Sequence, residues 1–126
     1  KIEEHDGMTI LATNLYHNFD PAFVRRITYV VHIDSPDEAT RLRLWKNTLP
    51  SKVEFSDDVD FDFLAERFEL SGSNIKSVLH TAAYIAGEKD RAITMADIII
   101  SLRYELEKLG RIIDSSDFAN YGVYLV

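Results

Sequence analysis

The sequence predicts an α/β remnant, two parallel strands of a larger sheet, followed by an all-α subdomain of four helices. Three observations carry that prediction. Two apolar, strand-prone runs, Met8 to Thr13 and Ile27 to Ile33, lie close together with one short capped helix between them. From Ser35 onward the apolar positions fall into the three- and four-residue spacing of amphipathic helices. A length of 126 residues with 46% hydrophobic content suits one domain or a piece of one. The expected divisions are residues 1–34 for the sheet part, 35–110 for the helical part and 111–126 for a tail without an assigned structure.

Lys1 to Gly7 reads as the exposed end of a helix and a turn, stopped by Gly7. Met8 to Thr13 is nearly continuous in apolar residues, the pattern of a strand buried on both faces, and it ends on Asn14. Asp20 caps a short helix with Pro21 in its first position. Ile27 to Ile33 is a second buried strand by the same pattern. A helical turn between two such strands suits a crossover within one parallel sheet. Two strands alone leave unpaired edges and are marginal in water, so this part is expected to belong to a larger sheet.

Ser35-Pro36-Asp37-Glu38 reads as a capping box with proline in the first helical position. Its helix is expected to bury Ala39, Leu42 and Trp45, to turn Arg41, Arg43 and Lys46 to water, and to stop at Pro50. A second, short helix covers Phe61 to Phe68. Ser71-Gly72-Ser73-Asn74 opens a third, burying Ile75, Val78, Leu79, Ala82, Ala83 and Ala86 and closed by Gly87. Thr94 and Asp97 open a fourth, with Met95, Ile98, Ile99, Leu102, Leu106 and Leu109 on its inner face. Such a set makes a small helical bundle.

Composition excludes several classes of function. The chain carries a net charge of −7, and residues 51–70 alone hold seven acidic and two basic side chains. Nucleic-acid binding rests on a basic surface that displaces counterions, so neither general nucleic-acid contact nor a helix-turn-helix reading of the bundle is expected. With no cysteine there are no disulfides and no thiolate metal sites. No apolar run reaches membrane-spanning length, and Lys1 to Asp6 is too charged to open a secretory leader. A reducing cytoplasm fits this composition.

The motifs for independent catalysis fail one by one. The glycines at 7, 72, 87, 110 and 122 do not provide the spacing of a phosphate-binding Walker A loop. Val30 to Asp34 imitates an apolar strand ending in a metal-binding aspartate, but Ser35-Pro36 follows, and Asp34 is better read as the strand end. Asp58 to Glu69 imitates a calcium loop, yet Phe63 stands where that loop needs glycine. The histidines at 5, 17, 32 and 80 form no i, i+3 or i, i+4 pair, so no metal site is expected. Ser73 lacks the glycine frame of a hydrolase nucleophile.

Four features remain: Asn14 at a strand end, the adjacent Arg25 and Arg26 after Asp20-Pro21-Ala22-Phe23-Val24, the helix start at Ser71 to Lys76, and the capped helices between. Arginine holds five donors and a permanent charge, which suits a multi-oxygen anion. Each feature also has a structural reading. Asn14 can cap a turn, the arginines can be solvated or paired with Glu3, Glu4 or Asp20, and Lys76 can be a solvated side chain.

In order, these features resemble the AAA family of ATPases. There a strand ends in Thr-Asn, as in Ala12-Thr13-Asn14. A D-P-A-[LF]-x-R-x-G-R segment follows, matched by Asp20 to Arg26 with its arginine spacing compressed to adjacent residues. A final strand and a P-[DN]-x-x-x-R helix come next, matched by Tyr29 to Ile33 and Pro36 to Arg41. The family's helical lid contains a [ST]-G-[AS]-[DN]-[IL] segment, and here stands Ser71-Gly72-Ser73-Asn74-Ile75. The resemblance implies that Asn14 is sensor 1, orienting the water that attacks the γ-phosphate. It implies that Arg25 is an arginine finger reaching a neighbouring subunit's site, with Arg26 in the place of the second. Gly72 and Ser73 would lie near the adenine, and Lys76, one turn into the lid helix, would be within reach of phosphate. The module would use ATP and Mg2+, with neither bound tightly by this chain, and would work in a homo-oligomeric, hexameric ring on an unidentified protein substrate. Lacking the Walker motifs, the chain alone is expected to be inactive. The alternative from a different class is a helical protein-interaction module whose acidic 51–70 rim docks a partner.

Overall fold

A computed structural model describes residues 7–13 and 15–125 of the chain. The expected helix end at Lys1 to Asp6 and the sensor residue Asn14 therefore lie outside the described residues. The chain divides into two compact units, Lys1–Ile33 and Asp34–Val126.

In the first unit a 3-10 turn at Tyr16–Asn18 leads to helix α1, Pro21–Val24. Asp20 caps α1 as the sequence predicts, accepting from the Ala22 amide at 2.8 Å, and Phe19 meets Phe23 edge to face at 5.5 Å. The two predicted strands do not form. Among the described residues neither Met8 to Thr13 nor Ile27 to Ile33 is part of a sheet, and Met8, Ile10, Tyr29, Val31 and Ile33 are each more than 80% exposed. The cause is physical: strand propensity becomes a strand only when a neighbour takes up its amides and carbonyls and covers its faces.

The second unit is the helical bundle. Its helices are α2 (Glu38–Asn47), α3 (Phe61–Arg67), α4 (Gly72–Glu88) and α5 (Met95–Lys108). Helix α4 packs on α5 and α2, and α2 on α3. Trp45, Leu64, Ile75, Leu79, Ile98, Ile99 and Leu102 form the centre of the core, all fully buried. Asp60 caps α3, accepting from the Phe63 amide at 3.0 Å. Reciprocal capping boxes open α4 (Ser71 with Asn74) and α5 (Thr94 with Asp97). Asp97, 2% exposed, also takes a two-point bond from the Arg91 guanidinium. An isolated parallel bridge, Phe55 with Ile93, ties the segment before α3 to the segment before α5. Asp58 then accepts from the Met95 amide at 3.2 Å.

The start of α2 differs from expectation. Asp37, not Ser35, is the cap, accepting from the Thr40 amide at 2.8 Å, so proline precedes the helix instead of opening it. The register of burial moves with it. Arg41 is buried rather than solvated, donating from Nε to the Ala65 carbonyl and from Nη1 to the Pro36 carbonyl, both at 2.9 Å, while Ala39 is exposed. Gly87 lies inside α4, and the turn beyond the helix is made by Asp90 at φ 53°. Leu109 stands outside the core at 44% exposure.

Residues 111–125, without an assignment from sequence, fold back on the bundle. Ser115–Leu125 forms 3-10 turns on either side of a kink at Ala119, where φ is 50°. Phe118 is fully buried, 5.4 Å from the Phe68 ring, and Tyr121 lies 4.8 Å from Phe63. Arg67 Nε donates to the Asp117 carbonyl at 2.9 Å, and the Tyr121 hydroxyl donates to Asp60 at 2.8 Å. Gly122 is obligatory here: a Cβ at this position would stand 2.2 Å from the Ser115 carbonyl oxygen.

Candidate functional site

The start of α4 brings together three of the residues singled out from sequence. A helix start leaves its first amides outside the intrahelical ladder and carries the positive end of the helix dipole. Ser71 Oγ accepts from the Asn74 amide at 3.2 Å, and the Ser71 amide and hydroxyl both donate to Asn74 Oδ1, at 3.3 and 2.6 Å. Gly72 and Ser73 follow the cap directly. Among the described residues nothing demands glycine at position 72, where an added Cβ would meet Leu44 Cδ1 at 3.8 Å. What glycine gives is an uncovered backbone between Leu44 and the solvent. Ser73 is exposed, its hydroxyl 3.3 Å from that of Ser71, and Lys76 is exposed one turn on.

A cleft of about 300 Å³ adjoins this helix start, lined by Ser35, Pro36, Arg41, Glu69, Leu70 and Ser71. Arg41 stiffens it by joining the Pro36 carbonyl to that of Ala65. Sequence reasoning missed the burial of Arg41 because it assigned every basic side chain on α2 to water. The available signal was that Arg41 lies one turn before Trp45 and so shares its buried face.

From beneath, the cap is held by α5. Asn74 Nδ2 donates to Glu105 Oε1 at 3.2 Å, and Lys108 Nζ meets Glu105 Oε2 at 2.7 Å. Burial would raise the Glu105 pKa, but hydrogen bonds from Lys108, Asn74 and Ser77, with the charge of Lys108, outweigh it and bring the carboxyl below its ordinary 4.5.

The arginine pair lies in the other unit. Arg25 caps the C-terminal end of α1, its amide donating to the Pro21 carbonyl at 3.2 Å, and both Arg25 and Arg26 are exposed. The acidic 51–70 stretch is partly committed to folding: Asp58 and Asp60 cap α5 and α3, while Glu54, Asp57, Asp62, Glu66 and Glu69 are exposed. Among the described residues no three His, Asp or Glu side chains come together in a group that could hold a metal ion. No helix among them is long and apolar enough to cross a membrane.

No protein-family model matches the chain. It is similar to the "26S proteasome regulatory subunit 4 homolog" of Schizosaccharomyces pombe, 31% identical over 97 residues, or 75% of this chain. The protein of the same name in Oryza sativa subsp. japonica is 35% identical over 96 residues, or 73% of the chain. The "Probable 26S proteasome regulatory subunit 4" of Caenorhabditis elegans is 31% identical over 96 residues. The chain spans 21% of the length of each of these relatives. This likeness, extending over some three quarters of the chain, supports the AAA family as a family, without assigning a role to any single residue.

Proposed function

We infer that this chain is part of an AAA-type ATPase and contributes sensor 1, a trans arginine finger and the nucleotide-covering lid to ATP hydrolysis. The observation that carries this reading is the 31–35% identity to proteins named as proteasome regulatory subunit 4. The open start of α4, with the adjoining cleft, is in keeping with a lid that approaches an adenine.

In this reading Gly72 and Ser73 present backbone to the base, and Lys76 lies on the phosphate side. Asn14 orients the attacking water, and Arg25, with Arg26 beside it, supplies charge to the site of the next subunit. A trans arginine of this kind raises phosphoryl-transfer rates by about three to five orders of magnitude. The phosphate loop and the Mg2+ ligands come from elsewhere in the module, so the chain alone binds neither cofactor tightly and does not turn over ATP. The relatives are named as one numbered subunit of a larger assembly, which favours a ring of related subunits over the strictly homo-oligomeric one expected from sequence. The protein substrate is set outside this segment, and the cytoplasm is the proposed setting.

The test is made in the complete ATPase that carries this segment. Arg25→Ala should abolish hydrolysis and leave nucleotide binding intact, and Ser73→Tyr, which fills the helix start from an exposed position, should weaken binding. Hydrolysis unchanged by Arg25→Ala would remove the finger from the proposal. Turnover by the 126-residue chain above a buffer blank would overturn its inactivity.

A further inference from the structure

Glu105 is a buried carboxylate on α5 that the reading above does not use. It is 7% exposed, and its partners are a lysine on its own helix and two side chains of α4, Asn74 and Ser77. Its chemistry constrains Asn74. An ionised carboxylate only accepts hydrogen bonds, so the Asn74 amide must turn its NH2 group to Glu105. That leaves Asn74 Oδ1 facing the other way, where it receives both the amide and the hydroxyl of Ser71. Had the amide group been reversed, an NH2 would confront the Ser71 amide and the cap would lose its acceptor. The geometry of Ser71 to Ser73 thus depends on a charge one helix away.

We propose that Glu105 is a positioning residue for the nucleotide-covering helix start, acting through the polarity it imposes on Asn74. This rests on the nucleotide reading of Gly72 and Ser73 given above. Glu105 touches no ligand itself. It fixes the direction of one amide group, and that group fixes the backbone that meets the base.

Because the mechanism is one of polarity, reversing the pair should preserve it. In Asn74→Asp two carboxylates oppose each other and the cap loosens. Adding Glu105→Gln lets the glutamine NH2 donate to the new aspartate, whose other oxygen still accepts from Ser71. In the complete ATPase, N74D should weaken mant-ATP binding by about tenfold, the scale of one charge-assisted hydrogen bond. KM should rise with kcat at saturating ATP little changed, and N74D/E105Q should recover most of the affinity. Unchanged affinity in N74D, or no recovery in the double variant, overturns the proposal.

Amide spectra of the 126-residue chain decide the same question without nucleotide. The Ser71 N–H resonance should move in N74D and return in the double variant; if it stays displaced, Glu105 does not set the cap. Ser73→Tyr separates the two levels. Unaltered mant-ATP binding in that variant refutes the nucleotide reading and the functional half of the proposal, while the Ser71 resonance still tests the positioning itself.

Discussion

Replacing Phe118 by alanine tests whether residues 111–126 belong to the core of the helical unit. The ring is fully buried and contacts Phe68, while its neighbours Asp117 and Tyr121 bond to Arg67 and Asp60. Truncating a buried phenylalanine to alanine costs about 3–5 kcal/mol, the lost transfer energy plus the cavity left behind. For a unit of this size that corresponds to a fall in Tm of roughly 12 °C or more. Trp45, the only tryptophan and fully buried, makes urea unfolding readable by fluorescence. The expected result is a lower midpoint at an unchanged denaturant slope, because the same surface is still exposed on unfolding. Val123→Ala serves as the control: the residue is 67% exposed and its truncation should cost less than about 0.5 kcal/mol. A loss below about 1 kcal/mol for Phe118→Ala would refute a docked tail, since no buried aromatic ring is removed that cheaply.

Two further predictions concern stability. Gly122→Ala forces a methyl group onto the Ser115 carbonyl, so it should lower Tm in a circular dichroism melt, whereas Gly87→Ala, with nothing near its added carbon, should not. At acid pH the chain should lose stability through Asp97 and Glu105. For Asp97, burial would raise the carboxyl pKa, but hydrogen bonds from Arg91 and Thr94 and the Arg91 charge bring it below 3.8. A depressed pKa means that its stabilisation is complete above the unfolded value and is lost as pH falls through the folded one. Tm should therefore decline below pH 4.5 as Glu105 protonates, and further below 3.8 as Asp97 does. Asp97→Asn should flatten the lower part of that decline, and a Tm independent of pH across this range in the parent chain would contradict the assignment.

The legible parts of this chain are those whose causes are local. The helix starts at Ser71/Asn74 and Thr94/Asp97 are written in residues three apart, and each forms a capping box. The inner face of α4 follows from spacing alone, with Ile75, Val78, Leu79, Ala82 and Ala86 all buried. What failed needed distant partners. Arg41 is buried because two carbonyls, one of them 24 residues away, receive it; its place one turn before Trp45 marks the face but not those partners. Phe118 docks on Phe68, the C-cap of α3, and the tail that carries it has no period to read. Asn74 is legible as part of a helix start, but its tie to Glu105 spans 31 residues. At the candidate site, sequence found Gly72, Ser73, Lys76 and the helix α5, but not the contact by which α5 holds the helix start.

The contrast between the units bears on how the proposed function divides. Residues 34–125 close their own core, and the cap at the start of α4 is fixed by side chains of that same unit. Its local geometry is therefore set by the helical unit itself. Residues 7–33 stand differently. Their two apolar runs are exposed, as bare strand-forming surfaces are before a sheet covers them, and the helix that presents Arg25 is a single turn with no buried residue. A short helix of this kind gains most of its order from what packs on it. The two halves of the proposed chemistry should then respond differently to perturbation. Substitutions around Asn74 and Glu105 act through a network already present in this chain, whereas the position of the arginine pair is governed by whatever covers the runs on either side of it.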